Sequence, residues 1–175
     1  MRASAARSRV LSLVFAALLT ATAVLSVAAT AGAAVRLSGL EQGVLTAVNQ
    51  ARAAHGLAPV HAQRQLVCAA RSHSRSMAHL DYFSHDSADG RTFSARLQQH
   101  GYVRTGYAGW TVGEDIANGR IGTVYATAEA VVQLWMESAT HRRTILTATF
   151  KDVGVGVHDE GDTRYFTLDL GRRRR

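Results

Sequence analysis

Residues 153–170 read Val-Gly-Val-Gly-Val-His-Asp-Glu-Gly-Asp-Thr-Arg-Tyr-Phe-Thr-Leu-Asp-Leu. Val153-Gly154-Val155-Gly156-Val157 and Tyr165-Phe166-Thr167-Leu168-Asp169-Leu170 follow the period of two that strands require. The turn Asp159-Glu160-Gly161-Asp162 separates them, so this stretch predicts a β-hairpin. Upstream the period lengthens. Ser38-Gly39-Leu40-Glu41 reads as a capping box. Leu40, Val44, Leu45, Val48 and Ala51 then recur at helical spacing until Gly56 and Pro59 close the segment. A second helix is expected from about Ala62 to Ala78, packing through Leu66, Ala69, Ala70, His73 and Met77. A short helix is expected near Thr92 to His100, ending at Gly101, and an amphipathic one from Val124 to Glu137. Helices in front and a hairpin behind predict an α+β domain, with helices packed on an antiparallel sheet.

The N-terminus points to export. Arg2, Arg7 and Arg9 precede an apolar run from Val10 to Val27, and Ala31-Gly32-Ala33 fits an A-x-A cleavage signal. Residues 1–33 are therefore expected to be a secretory signal peptide; an uncleaved membrane anchor is the alternative, and the Ala-rich end favours processing. The expected organisation is a single domain over residues 34–171 and a basic tail, Arg172 to Arg175, in a secreted or envelope-associated protein. The chain carries 20 Lys+Arg against 13 Asp+Glu. Three of those cations lie before the cleavage signal and four in the tail, which leaves the body balanced. That distribution excludes a basic nucleic-acid-binding face. The tail reads as a solvated, disordered end, with weak electrostatic attraction to an anionic envelope polymer or lipid as the functional alternative. The single cysteine, Cys68, permits no intramolecular disulfide. It is expected to be a buried, inert core residue.

Three separated polar motifs stand out in apolar surroundings: Phe83-Ser84-His85, Gly113-Glu114-Asp115-Ile116-Ala117 and Ser138-Ala139-Thr140-His141-Arg142. Two neutral imidazoles and a carboxylate, His85, His141 and Glu114, can hold Zn²⁺ or another divalent cation with a position open for water. Without metal they can exchange protons, Glu114 orienting one ring and raising its pKa. Alternatively they form a polar network tying three segments together, since buried polar groups must be paired.

Further motifs fall in a fixed order: Asn49-Gln50-Ala51-Arg52, Gly56-Leu57-Ala58-Pro59-Val60, His73-Ser74, Phe83-Ser84-His85, Gly113-Glu114, Trp135-Met136-Glu137-Ser138, His141-Arg142, Ile145-Leu146 and Gly154-Val155-Gly156. Together they resemble the CAP superfamily (cysteine-rich secretory, venom-allergen and pathogenesis-related proteins, or SCP domain) in its small bacterial form, from about Leu40 to Gly171. The resemblance implies an α-β-α sandwich with a central antiparallel sheet flanked by helices, and a secreted or surface location. It also implies a cavity lined by two His and usually two Glu. His85, Glu114 and His141 match three of these positions, and Ser138 stands at the second Glu. Asp115 replaces the Asn of the family's G-E-N segment, Ala139-Thr140 the usual Pro-Gly and Thr144 an Asn, while Leu168 sits where Gln is common.

Other candidates carry less. His73, on an apolar helix face, reads as a hydrogen-bonded core residue. His79 lies six residues from both His73 and His85, which gives no single-face metal spacing. His55, His61, His100 and His158 read as solvated. Ser138 and His141 lack a nucleophile elbow, which argues against a serine hydrolase. Gly154-Val155-Gly156 reads as a strand in close backbone contact. Ser138, Trp110 and Tyr107 are the expected ligand-binding residues, and Trp110 serves equally as a core cover. Two functions remain: an extracellular binding module for a divalent metal or a lipid, peptide or cell-envelope ligand, and a metal-assisted hydrolase using Glu114, His85 and His141. Loss of the second Glu favours binding. With no heptad or long exposed apolar stripe, a monomer is expected.

Overall fold

Ser38 opens the first helix as its spacing required. In the computed structural model, which describes residues 35–175, Ser38 Oγ accepts from Glu41 N at 3.2 Å and Glu41 Oε2 accepts from Ser38 N at 2.7 Å. This box starts α1 (Gly39–Ala54), which buries Val44, Leu45 and Val48 and stops before Gly56, in a left-handed turn at φ 70°. Fully buried Arg52 fastens the helix end by donating to the carbonyls of Ala58 (3.0 Å), Ile145 (2.6 Å) and Thr147 (3.1 Å). The expected signal peptide lies outside the described residues.

His61–Ala62 forms the short strand β1, and α2 (Arg64–His79) follows, capped by Gln63 rather than starting at Ala62. Its buried side includes Leu66, Ala69, Ala70, His73 and Met77, as expected. Cys68 is not part of that side. It projects outward and is exposed, because residue 68 lies between the inward positions 66, 69 and 70 on a 3.6-residue turn. Then come α3 (Phe93–Gln99), β2 (Gly109–Arg120), a 3₁₀ turn (Val124–Ala126), α4 (Ala128–Glu137), α5 (Ala139–Ile145), β3 (Asp152–Glu160) and β4 (Thr163–Arg174). The single helix expected over 124–137 is interrupted because Thr127 caps α4 afresh, accepting from Ala130 N at 3.2 Å.

The sheet order is β1-β3-β4-β2. The predicted hairpin forms in register, with Val155 opposite Leu168. β1 runs parallel to β3, so the sheet is mixed, while all its longer pairings are antiparallel. Alternation sends Val153, Val155, Phe166, Leu168 and Leu170 into a core with α1, α4 and Trp135. The opposite face carries α2 and α3, giving the α-β-α sandwich. Here Gly154 and Gly156 are required: a Cβ would sit 2.1 Å from the backbone carbonyl carbon of Leu66 or Ala70. The Arg tail is not disordered. Arg172, Arg173 and Arg174 pair with Thr111, Trp110 and Gly109, because ladder hydrogen bonds are indifferent to side chain, and Arg173 stacks 4.3 Å over Tyr102.

Candidate functional site

β2 is an edge strand whose successive side chains point to opposite faces. Glu114 therefore faces α2 and α3, and Asp115 faces the main core. The Glu114 side chain is fully buried. His85 Nδ1 donates to its Oε1 at 2.9 Å, and Arg96 Nη2 of α3 donates to Oε2. Arg96 also donates from Nη1 to His85 O and Ser87 Oγ, both at 3.0 Å, fixing the 84–87 loop to α3. Burial pushes the Glu114 carboxyl upward, but the His85 hydrogen bond and the Arg96 charge outweigh it and hold it ionised. The same bond to Glu114 raises the His85 pKa.

Asp169 stands opposite Glu114 in the β2–β4 register, fully buried, with neither oxygen at hydrogen-bonding geometry. Burial, then the neighbouring Glu114 charge, raises its pKa well above the carboxylate range, so it is held neutral. His73 Nε2 donates to Ser84 O at 2.9 Å, matching the core role expected for it. A carbonyl only accepts, so Nε2 carries the proton and Nδ1 has a free lone pair. Burial, then Arg96, lowers the His73 pKa to about 4, keeping the ring neutral. His73 Nδ1 and Arg96 Nε are buried without partners. Both residues line a cavity of about 200 Å³ together with Ser72, Ser76, Arg91 and His100. The His100 pKa is lowered by burial, then by Arg96 and Arg91, and Arg91 is itself paired with Asp89 at 2.7 Å on the cavity wall.

The structure thus joins His85 directly to Glu114, while His141 makes no hydrogen bond to either. His141 lies half-buried on α5, with Nδ1 buried and unpartnered and its pKa lowered by burial, then by His85. Among the described residues, the donors of His85, Glu114 and His141 do not form a group within 4.8 Å of one another. Both Glu114 oxygens are occupied, one by a guanidinium that a divalent ion bound there would have to displace. Ser138 is the junction of α4 and α5 and makes no side-chain cap. Trp110 packs beside Leu66, Leu97 and Tyr102 and donates to Tyr102 O at 3.3 Å, while Tyr107 lies 4.9 Å beneath Arg173. Neither lines the cavity beside Arg96. Sequence reasoning missed Arg96 and Asp169; the signal for Asp169 was a carboxylate inside the apolar strand Phe166-Thr167-Leu168-Asp169-Leu170.

Comparisons with known proteins agree with this architecture. The profile of the cysteine-rich secretory protein (CAP) family matches residues 45–170. This chain belongs to that family. It is 33% identical over 125 residues to the uncharacterized protein YkwD of Bacillus subtilis, covering 71% of this chain and 45% of that one. It is 32% identical over 133 residues to the uncharacterized membrane protein YlbC of the same organism, covering 76% and 34%. An extracellular SCP-domain protein of Bacillus anthracis superposes with TM-score 0.62 at 30% identity, over 77% of this chain and 40% of that one. An outer surface protein of Borrelia burgdorferi shares the fold at TM-score 0.67 and 15% identity, over 81% and 98%. The chain spans less than half the length of the Bacillus subtilis relatives. Among the described residues no helix is long and apolar enough to cross a membrane.

Proposed function

We propose that this CAP domain is an exported binding module that holds a small carboxylate- and hydroxyl-bearing ligand, of the kind cell-envelope fragments present, in the cavity beside Arg96. The observation that carries this is the pair of orphaned nitrogens, His73 Nδ1 and Arg96 Nε, on residues lining one polar cavity. Buried polar groups are ordinarily paired. A ligand hydroxyl would satisfy the imidazole lone pair, and a carboxylate would satisfy the Arg96 guanidinium N–H and compete for Arg91 with Asp89, which lines the same cavity 2.7 Å from it. Glu114, His85 and Ser87 then act as the support that holds Arg96 in place. Export rests on the signal-like N-terminus and on the extracellular description of the Bacillus anthracis relative.

Calorimetric titration with peptidoglycan fragments bearing free carboxylates, against their amidated counterparts, tests the proposal. Arg91→Gln removes a charge-assisted contact worth about 1.5–3 kcal/mol, so carboxylate binding should weaken by roughly tenfold or more. Absence of saturable binding, or equal binding by Arg91→Gln, would refute it. A second reading is favoured by the His85–Glu114 pair: a carboxylate-oriented, solvent-reaching imidazole is the arrangement of a general acid–base. Hydrolysis of such fragments that disappears in His85→Ala would support it, and hydrolysis that persists would remove it.

A further inference from the structure

A different triad lies at the C-terminal end of α2. There His79 Nδ1 is 2.9 Å from Glu160 Oε2, and His158 Nε2 is 3.7 Å from the same oxygen. The two rings pack edge to face with centroids 4.9 Å apart. Among the described residues this is the one group of three His, Cys, Asp or Glu whose donor atoms lie within 4.8 Å of one another. We propose that His79, His158 and Glu160 form a Zn²⁺ site, separate from the cavity beside Arg96.

Backbone geometry builds the site. His158 and Glu160 are two apart on β3, so both project from the same face of the sheet. α2 lies flush on that face through Gly154 and Gly156, and Ser74 Oγ donates to Gly156 O at 3.0 Å. That contact carries the last residue of the helix over the end of the strand. His79 lies six residues past His73, about 9 Å of helix rise.

Two imidazoles and one carboxylate with a solvent-facing side match a three-ligand zinc centre whose fourth position holds water. Zinc–ligand bonds of about 2.0–2.2 Å place tetrahedral donors roughly 3.3–3.6 Å apart, close to the separations already present. The electrostatics differ from those at Glu114. Among the described residues, Glu160 has ion-pair contacts only with the two imidazoles, and neighbouring Arg164 and Arg120 are paired with Asp159 and Asp162. A cation therefore displaces no arginine, and the negative end of the α2 dipole faces it. Bound zinc would clip the helix end to the β3–β4 hairpin.

The test is calorimetric titration of chelator-stripped protein, carrying no polyhistidine tag, with Zn²⁺, alongside thermal melts with and without the metal. We expect one equivalent to bind and the melting temperature to rise. His79→Ala, His158→Ala and the isosteric Glu160→Gln should each weaken binding by more than about tenfold, the lower range for loss of even a supporting partner. His85→Ala/His141→Ala should bind as the unaltered chain does. No saturable binding, binding that survives His79→Ala/His158→Ala, or binding abolished only by His85→Ala/His141→Ala would each overturn the assignment. The His79 and Glu160 side chains are about half exposed, so metal-free melts of His79→Ala and Glu160→Gln should match the parent and separate lost binding from lost folding.

Discussion

Replacing Asp115 with asparagine should stabilise the domain, by an amount that grows with pH. Asp115 is fully buried on the main-core side of β2, and neither oxygen meets a partner at hydrogen-bonding geometry. Burial pushes its carboxyl from 3.8 up to about 8; Thr144 and His85 pull it back, and Glu114 pushes it further. The folded protein therefore keeps the proton over a range in which the unfolded chain has released it. The contribution of the protonated acid is fully present below pH 3.8 and is lost as pH climbs toward about 8. Each pH unit within that window is worth about 1.4 kcal/mol, so three units to pH 7 give a ceiling of about 4 kcal/mol. Asparagine has no proton to lose, is nearly isosteric, and is the residue the resembled G-E-N motif carries there. Its amide must still find partners near Thr144, which costs about 1–3 kcal/mol if unmet. We expect Asp115→Asn to gain about 1–3 kcal/mol at pH 7 and distinctly less at pH 5. Urea unfolding of both proteins at pH 5, 6, 7 and 8 measures the difference directly, and pH effects common to both cancel. A difference that stays flat with pH would refute the reasoning, as would a loss of stability at pH 7.

Other expectations follow from single contacts. Glu114→Gln should return the His85 titration, read by NMR, toward the ordinary histidine value of about 6.5; since its pKa is raised in the fold, stability from this pair is present at low pH and fades as pH rises through the His85 value. Gly156→Ala should cost about 3 kcal/mol or more in urea unfolding, the upper range of overpacking, because its Cβ meets the Ala70 backbone at 2.1 Å. Arg52→Met strips a donor from the buried carbonyl of Ile145 and the partly buried ones of Ala58 and Thr147 and should cost about 3 kcal/mol. Deleting residues 172–175 should lower the melting temperature by more than about 4 °C, since ladder pairs and the Arg173 stacking go with them; an unchanged melt would mean the strand ends earlier.

What could be read in advance depended on whether the signal was local. The capping box at Ser38, the α2 face and the hairpin are short-range patterns, and they formed as written. β2 was invisible because Gly109, Gly113 and Gly119 and the adjacent acids Glu114-Asp115 suppress strand propensity, while its stability comes from distant pairing with β4. The Arg tail misled for the same reason: charge suggested solvent, and pairing with Gly109–Thr111 decided otherwise. In the site, His85 and Glu114 were legible through ordered motifs. Arg96 was not, because nothing around an arginine on a short helix says which carboxylate of the sheet it will meet. His79 and Glu160 lie 81 positions apart, so only the helix–strand contact reveals them as neighbours.

That contact has a mechanical meaning as well. Side chains normally cushion a helix against a sheet, and small slides between them let proteins shear open and closed. Between α2 and β3 the cushion is missing at Gly154 and Gly156, and backbone rests on backbone. Such a joint cannot slide by a fraction of a residue without collision, so α2 serves as a fixed ruler. His73 at one mark and His79 at another keep their positions relative to the sheet whichever ligand arrives. Any adjustment to the proposed guest would then come from the 80–92 connection and α3, which bring Arg91 and Arg96 to the cavity.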